Sequence, residues 1–512
     1  CLIISGQSKK AQTVYNANIT GLRQFGVQEI NIIPIIKSIT KYAVMINDAS
    51  EIKYHLEKAL YLAKTGRPGP VWLDVPLDIQ GQMVDEEKLK GFNPDELKLN
   101  YSIEPHADDI YDVLQLLKNS KRPVIIAGHG VRLAGAVEEL LEFAQRYHIP
   151  IVTPIMGIDV INSDSKYYIG RIGTKGTRAG NIAMQNADVL ISIGSRLSVS
   201  SIGHEYHLFA REAIKVVVDI DPNEHKKDTI KIDKLINADA KVFLRQILTN
   251  METSLGEEKK EWLDKCNEWK SMYPVDLPEY ERVSEGINYY HLVHKVTEKT
   301  SANTPVVSDA GSAFYVVAQS IQLKKGQRFI TSGGLATMGF NLPAAIGVSA
   351  AIDNNPVVVI TGEGSLQMNI QELQTIVFQK MPVKIFVVNN KGYFSIRSTQ
   401  QRFFNNHYVG EGEESGVSFP DLKKIASAYE IAYFKIKFNK DLDNTIDRVL
   451  AYEGPVICEV MNVEDQQIIP TVSSIAKSDG TMISKPLEDM FPFLERDEFM
   501  KNMIIKPVDE GE

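Results

Sequence analysis

The sequence predicts an α/β protein made of three doubly wound domains with largely parallel sheets. Short β-branched runs such as "PVVVIT" (356–361) and "VKIFVV" (383–388) alternate with helical stretches such as "NIQELQTIVFQK" (369–380). Strand–helix alternation is the pattern of parallel sheets. The chain length of 512 residues also exceeds what one core fills, and about three domains are expected.

The elements follow in order. Residue 1 is Cys, and "CLIISGQ" reads as a buried strand entering a turn. The chain is therefore expected to begin inside a domain, the first one truncated at its N-terminus. "EIKYHLEKALYLAKTG" (51–66) has helical spacing and closes on Gly66 as a C-cap. "GPVWLDVPLD" (69–78) is the next strand, and the charged, aperiodic stretch 85–108 reads as a linker. "RPVIIAGHGVRLAGAVEELLEFAQRYHIPIVT" (122–153) is strand, glycine turn, helix, strand. "ADVLISIGSR" (187–196) and "IKVVVDIDP" (214–222) continue the strands, 238–248 closes with a helix, and 250–274 reads as a polar helical connection. A third unit holds "TPVVSDAG" (304–311) and the glycine-rich "TSGGLATMGFNLPAAIG" (331–347). The expected domains are 1–88, 109–250 and 285–485, with a C-terminal tail to 512.

Composition narrows the function. Apolar content of 44% and charged content of 24% are ordinary for a globular protein. A net charge of −9 argues against general nucleic-acid binding, and no apolar run reaches the ~18 residues of a membrane span. Three scattered cysteines make neither a disulfide framework nor a zinc site, and a reducing cytoplasm is the simplest home.

The chemistry concentrates in "TGEGSLQMNIQELQTIVFQKMPVKIFVVNNKGYFSIR" (361–397). Gly362-Glu363-Gly364 and Asn389-Asn390 both fall beyond the carboxyl ends of predicted strands, where open α/β sheets place ligands. One helical crossover separates them. Mg²⁺ takes hard oxygen ligands, a few from protein and the rest from phosphates and water. Glu363 offers a carboxylate, Asn390 an amide oxygen and Gly392 a backbone carbonyl. Gly362 and Gly364 would let the backbone approach a diphosphate closely.

This pair resembles the thiamine diphosphate motif, Gly-Asp-Gly followed after a crossover by Asn-Asn. The surrounding chain looks like the acetolactate synthase and pyruvate oxidase group of thiamine-dependent enzymes. "SITKYAV", "ALYLAKTGRPGPVWLDVP", "RPVIIAGHG", "VDIDP", "TSGGLATMGFNLPAAIG" and "PLEDMFP" fall in that group's order, so the resemblance covers nearly all of the chain. It implies a pyrimidine-binding, a central and a diphosphate-binding domain, and Mg²⁺ held by Glu363, Asn390 and Gly392. Gly334, Gly362, Gly364 and Ser365 would contact the cofactor, as would Asn389, Gly392 and Tyr393. Met338 matches the residue that wedges between the cofactor's two rings. On its own residue type it would be a core gap-filler.

The resemblance further implies decarboxylation of a 2-oxo acid, pyruvate foremost, and transfer of the remaining two-carbon unit to a carbonyl acceptor. Gln28 would lie near the reactive face. The glutamate that drives cofactor ionisation belongs upstream of residues 5–7, outside this chain. Sites of this group form between subunits, so a homodimer or homotetramer is expected. Some members bind flavin adenine dinucleotide (FAD) centrally, and Arg196, Asp219 and Asp239 match positions near it. "IIAGHGVRLAG" itself is a poor dinucleotide fingerprint. His129, His204, His207 and His407 have no partner spacing and read as structural. "EGEESG" (411–416) reads as a solvated loop.

Three departures concern the acceptor. Val199 and Ser200 fill the Asp-Arg positions that hold a second 2-oxo acid's carboxylate in acetohydroxyacid synthases. Leu77 replaces a Lys and Thr399 a Trp. The acceptor is then not a simple 2-oxo acid. "GLRQFGVQE", "VWLDVPLDIQG" and "GYFSIRSTQ" look closer to acetolactate-synthase-like proteins of surface-polysaccharide gene clusters, which suggests a keto-sugar nucleotide. Glu363, in place of the usual Asp, predicts weaker or altered metal binding. The alternatives are a decarboxylase, oxidase or cyclic-dione hydrolase of the same group, or a non-catalytic paralogue.

Overall fold

The computed structural model describes residues 1–97, 103–250, 259–476 and 482–508. Residues 98–102 of the expected linker and 251–258 of the polar connection lie outside the described residues. So do 477–481 of the expected third domain and 509–512 of the tail. The strand–helix alternation resolves into three parallel sheets of three, six and six strands. The chain divides into two compact units, Cys1–Ile103 and Glu104–Glu512.

In the first unit β1 (Leu2–Gln7), β2 (Tyr42–Met45) and β3 (Val71–Pro76) pair in the order β1-β3-β2. Helix Ile52–Lys64 packs Ala59 and Leu62 onto Ile46, Val71 and Leu73. Thr65, not Gly66, caps this helix. Gly66 follows at φ +63°, the left-handed turn that leads the chain off. Proline has no N–H to donate, and β3 stops at Pro76. Inside the sheet the buried Asp74 accepts from Ser5 at 2.6 Å and Gln7 at 3.0 Å, while Trp72 Nε1 donates to Ser5 at 2.8 Å.

The second unit contains two sheets. One runs β6-β5-β4-β7-β8-β9, from β4 (Pro123–Ala127), β5 (Ile151–Thr153), β6 (Tyr168–Arg171), β7 (Val189–Ile193), β8 (Ile214–Asp219) and β9 (Lys234–Asn237). The four inner strands were legible as apolar runs. The edge strands β6 and β9 have four residues each and carry Arg171 and Lys234, so their sequence lacks that signal. The expected polar connection is in part a core helix. Lys260–Met272 places Trp262, Cys266 and Trp269 on one buried face, at the four- and three-residue spacing of an amphipathic helix. Trp262 Nε1 donates to Pro123 O at 3.0 Å and Trp269 Nε1 to Asn502 at 2.8 Å.

The other sheet runs β11-β10-β12-β13-β15-β14, from β10 (Val306–Val307), β11 (Phe329–Ile330), β12 (Val357–Gly362), β13 (Val383–Asn389), β14 (Ala432–Ile436) and β15 (Val456–Met461). Along β12, Val358 and Ile360 join one core cluster and Val357 and Val359 the other. Both faces are thus covered by helices, which explains the unbroken apolar run. Because β10, β12 and β13 are parallel neighbours, their carboxyl ends bring Asp309, Glu363 and Asn389 to one side. Among the described residues no helix is long and apolar enough to cross a membrane.

Candidate active site

Strand β12 ends at Gly362, and Glu363 opens the short helix Glu363–Gln367 with its carboxyl buried. Gly392 N–H donates to Glu363 Oε1 at 3.1 Å. Burial pushes Glu363 up to about 7, against the opposing pull of amide bonds from Asn390, Lys391 and Gly392. Lys391, at φ +58°, turns the following Gly392 N–H toward this carboxylate, while its own N–H donates to Asn389 Oδ1 at 3.2 Å. Gly392 is required: a Cβ there would overlap the Glu411 carbonyl oxygen.

The other side of the loop is fixed by Arg397, in helix Phe394–Phe403. Its guanidinium donates to Lys391 O at 3.2 Å, Glu464 O at 3.3 Å and, at the 3.5 Å limit, Asn390 O. Its Nε pairs with Glu411 at 2.6 Å. Glu411 is therefore not part of a solvated loop: it is buried and anchors Arg397, because a buried guanidinium needs a carboxylate partner. Asn389 turns to Glu459 at 2.7 Å, which Lys435 and Tyr433 also hold.

This accounting leaves two groups over. Among the described residues, no hydrogen bond reaches the Asn390 side-chain amide or the Gly392 carbonyl. With Glu363 they form a set of hard oxygens of the kind Mg²⁺ accepts. Among the described residues no group of three His, Cys, Asp or Glu could by itself hold a metal ion. A cation here would meet a single carboxylate, and phosphate oxygens would have to supply the remaining negative charge. The oxygen donors present fit a Mg²⁺ ion, which Glu363, Asn390 and Gly392 would hold.

A buried network that sequence reasoning missed supports the glycine turns. Asp309, fully buried just beyond β10, accepts from Asn341 at 2.6 Å, Thr361 at 3.2 Å and the Ser365 hydroxyl. Ser365 in turn accepts Gly339 N–H at 2.8 Å. Burial raises Asp309 above the usual carboxylate range, while these bonds oppose the shift. Gly364 lies under the Tyr393 ring, which a Cβ would overlap. Met338 is half-buried in the same loop, beside the left-handed Ala336 and Gly339. A Cβ on Gly334 would lie 3.1 Å from Arg196 Nη2, so these two predicted residues meet.

Two of the remaining predicted residues are used within the chain. Asp239 caps helix Ala240–Asn250 through Lys241 N–H at 2.9 Å and Val242 N–H at 3.1 Å. Asp219 accepts Asp221 N–H at 2.9 Å and faces His225 at 3.2 Å. A Cβ on Gly128 would overlap the Gly194 carbonyl, so this glycine serves a backbone crossing. Gln28, in the first unit, is exposed at φ +58° beside the buried Glu29.

The comparisons agree with this geometry. The family described as "Thiamine pyrophosphate enzyme, C-terminal TPP binding domain" matches residues 309–460, and "Thiamine pyrophosphate enzyme, central domain" matches residues 110–247. The acetolactate synthase large subunit of Pyropia yezoensis is 32% identical over 464 residues, 89% of this chain and 76% of that protein. The chain belongs to the thiamine pyrophosphate enzyme family. The isozyme 2 large subunit of acetolactate synthase from Escherichia coli is 31% identical over 460 residues, 90% of this chain and 80% of its own length. For the thiamine pyrophosphate enzyme described here, the matched TPP-binding region holds Asp309, Glu363, Asn390, Gly392, Arg397 and Glu411 together. Asp309 had a sequence signal in "VVSDAG", a strand end followed by glycine like the Gly362 turn. Glu411 had none, since its distance along the chain from Arg397 follows no motif.

Proposed function

We propose that this protein is a thiamine diphosphate- and Mg²⁺-dependent carboligase of the acetolactate synthase type. It would take a 2-oxo acid, pyruvate foremost, and join the two-carbon remainder to a carbonyl acceptor. The observation that carries this is the clamp in which, among the described residues, the Asn390 amide and the Gly392 carbonyl stand without a hydrogen bond beside the buried Glu363 carboxylate. When bound, thiamine diphosphate supplies the carbon nucleophile and the electron sink for decarboxylation. The chain's own part is to hold and orient. Glu363, Asn390 and Gly392 would take the cation, and the turns at Gly362 and Gly364 would admit the diphosphate. Met338 and Gly334 would bound the rings.

Gln28 is exposed on the first unit, which supports a site completed by a second subunit's diphosphate-binding region. A homodimer working in the cytoplasm is the simplest form. The carboxylates of Asp219 and Asp239 are engaged within the chain, so those residues do not fit a flavin and we assign flavin no step. Val199 and Ser200 give no cation for a second 2-oxo acid, which favours a carbonyl acceptor of another class, a keto-sugar nucleotide first among them. The test is to supply thiamine diphosphate, Mg²⁺ and ¹³C-pyruvate, with and without such acceptors. Labelled CO₂ and a two-carbon-extended product are expected. CO₂ with free acetaldehyde alone would make the protein a decarboxylase, and no CO₂ would overturn the reading.

A further inference from the structure

A second cluster of polar groups lies away from the clamp, where edge strand β6 meets the helices of the last sheet. Arg171 ends β6 and is 2% exposed. Its Nη2 bonds the Lys175 carbonyl, while Nε and Nη1 are buried without a hydrogen-bond partner among the described residues. The groups acting on it are Tyr168, Tyr290 and Tyr315, and no carboxylate is among them. Among the described residues Lys175 reaches Thr471 Oγ1 at 3.2 Å and the Tyr315 ring at 5.2 Å, with Arg402 close enough to repel it. Arg402 closes helix Phe394–Phe403 and donates to Ser474 O at 3.1 Å. Between Thr471 and Ser474 in the chain, the Ser473 hydroxyl is buried without a partner.

Three cations therefore run from an exposed to a fully buried position. A buried charge without a counter-ion costs several kcal/mol. Elsewhere this chain does compensate such charges: Arg397 has Glu411, and Arg132 and Arg328 share Asp159. Lys270 and Lys384 are held by carbonyl oxygens instead. Arg171 differs because, among the described residues, Nε and Nη1 meet no acceptor, which leaves two donors for an anion from outside the chain. Tyr315 lies on helix Gly311–Ser320 and Arg402 on Phe394–Phe403. Both helices start beside the clamp, where a Cβ on Gly311 would lie 3.4 Å from Ser395 Oγ.

We propose that Arg171, Lys175 and Arg402 form an anion subsite that takes the carboxylate or phosphate group of a small-molecule ligand. Burial lowers both Arg171, to about 10, and Lys175, as expected of cations lacking a counter-ion. Arg171 and Lys175 share Tyr315 as a neighbour, and a guanidinium with an ammonium suits either anion. The subsite does not depend on the catalytic reading, because its binding can be measured without thiamine.

The test is calorimetric titration of the full chain, free of thiamine diphosphate, with inorganic phosphate and separately with pyruvate, at ionic strength held constant with NaCl. Saturable binding is expected for at least one anion, weakened roughly tenfold in Lys175→Gln, the loss of one charge-assisted bond. A smaller loss is expected in the exposed Arg402→Gln. Arg171→Gln should abolish binding. If that variant does not fold, Lys175→Gln decides, its side chain being partly exposed. Phosphate binding alone would assign a phosphorylated ligand, and pyruvate binding alone a carboxylate. No binding, or binding unchanged in both Lys175→Gln and Arg402→Gln (as expected if the anion sits at the diphosphate clamp), overturns the proposal.

Discussion

Replacing Arg397 by Met should separate two jobs that one side chain performs. The first is stability. The change strands Glu411, whose side chain is 10% exposed, and removes a 2.6 Å ion pair together with bonds of 3.2 and 3.3 Å to Lys391 O and Glu464 O. Breaking such a buried pair costs about 3–5 kcal/mol. The second is the order of Asn390, Lys391 and Gly392. Ordering a residue's backbone costs about 1 kcal/mol or more, so refixing three on cofactor binding costs about 3 kcal/mol, close to a hundredfold in affinity. The double variant Arg397→Met/Glu411→Gln leaves neither buried charge of this pair behind, only the exposed Asp465, and should regain most of the stability but not the affinity. Stability would be read by urea unfolding followed in far-UV circular dichroism, and affinity by titration of thiamine diphosphate at fixed Mg²⁺. Wild-type affinity in Arg397→Met, or affinity restored in the double variant, would refute the positioning role.

Glu363→Gln should abolish Mg²⁺-dependent cofactor retention while leaving the cofactor-free protein at least as stable, since a neutral amide costs less to bury. Metal titration by calorimetry checks the first and urea unfolding the second. Gly364→Ala drives a Cβ into the Tyr393 ring and should cost about 1–3 kcal/mol, with part recovered in Gly364→Ala/Tyr393→Ala on the same assay. Lys270 donates to Ser163 O at 2.8 Å and Ser165 O at 3.2 Å, and burial pushes it down to about 8. Between pH 8 and its unfolded value near 10.5 the unfolded chain binds the extra proton. Stability therefore rises with pH across that window. Wild type should gain up to about 3 kcal/mol over Lys270→Met from pH 8 to 10.5, and a flat difference between the two would contradict the burial argument.

The parts of the fold that were legible in sequence are those where local pattern and tertiary fate agree. β12 and β13 are covered on both faces and so show apolar runs, interrupted in β13 by Lys384, which reaches the Tyr452 and Gly454 carbonyls. In the turns that follow these strands, Gly364 leaves room for the Tyr393 ring and Gly392 for the Glu411 carbonyl. Edge strands β6 and β9 were not legible, since few neighbours constrain their composition. Helix Lys260–Met272 was taken for a connector because its charged face outweighs the three-residue stripe of Trp262, Cys266 and Trp269 in any window average. At the site, Glu363, Asn390 and Gly392 carry their chemistry in their residue type. Asp309, Arg397 and Glu411 act through partners 52 residues away (Asp309 with Thr361) or across a loop. No spacing rule along the chain reports such pairs.

The placement of the indole side chains has a practical consequence. The sequence contains three tryptophans. Trp72 is bonded to Ser5 in the first sheet, and Trp262 and Trp269 are buried against the β4–β9 sheet. None belongs to the sheet that carries the clamp. Intrinsic emission excited at the indole band will therefore follow the melting of the other two sheets and remain dark to loosening around Glu363. A spectroscopic reporter for that loop has to be introduced, and Phe394, a buried aromatic position immediately after Tyr393, is a site that an indole could share.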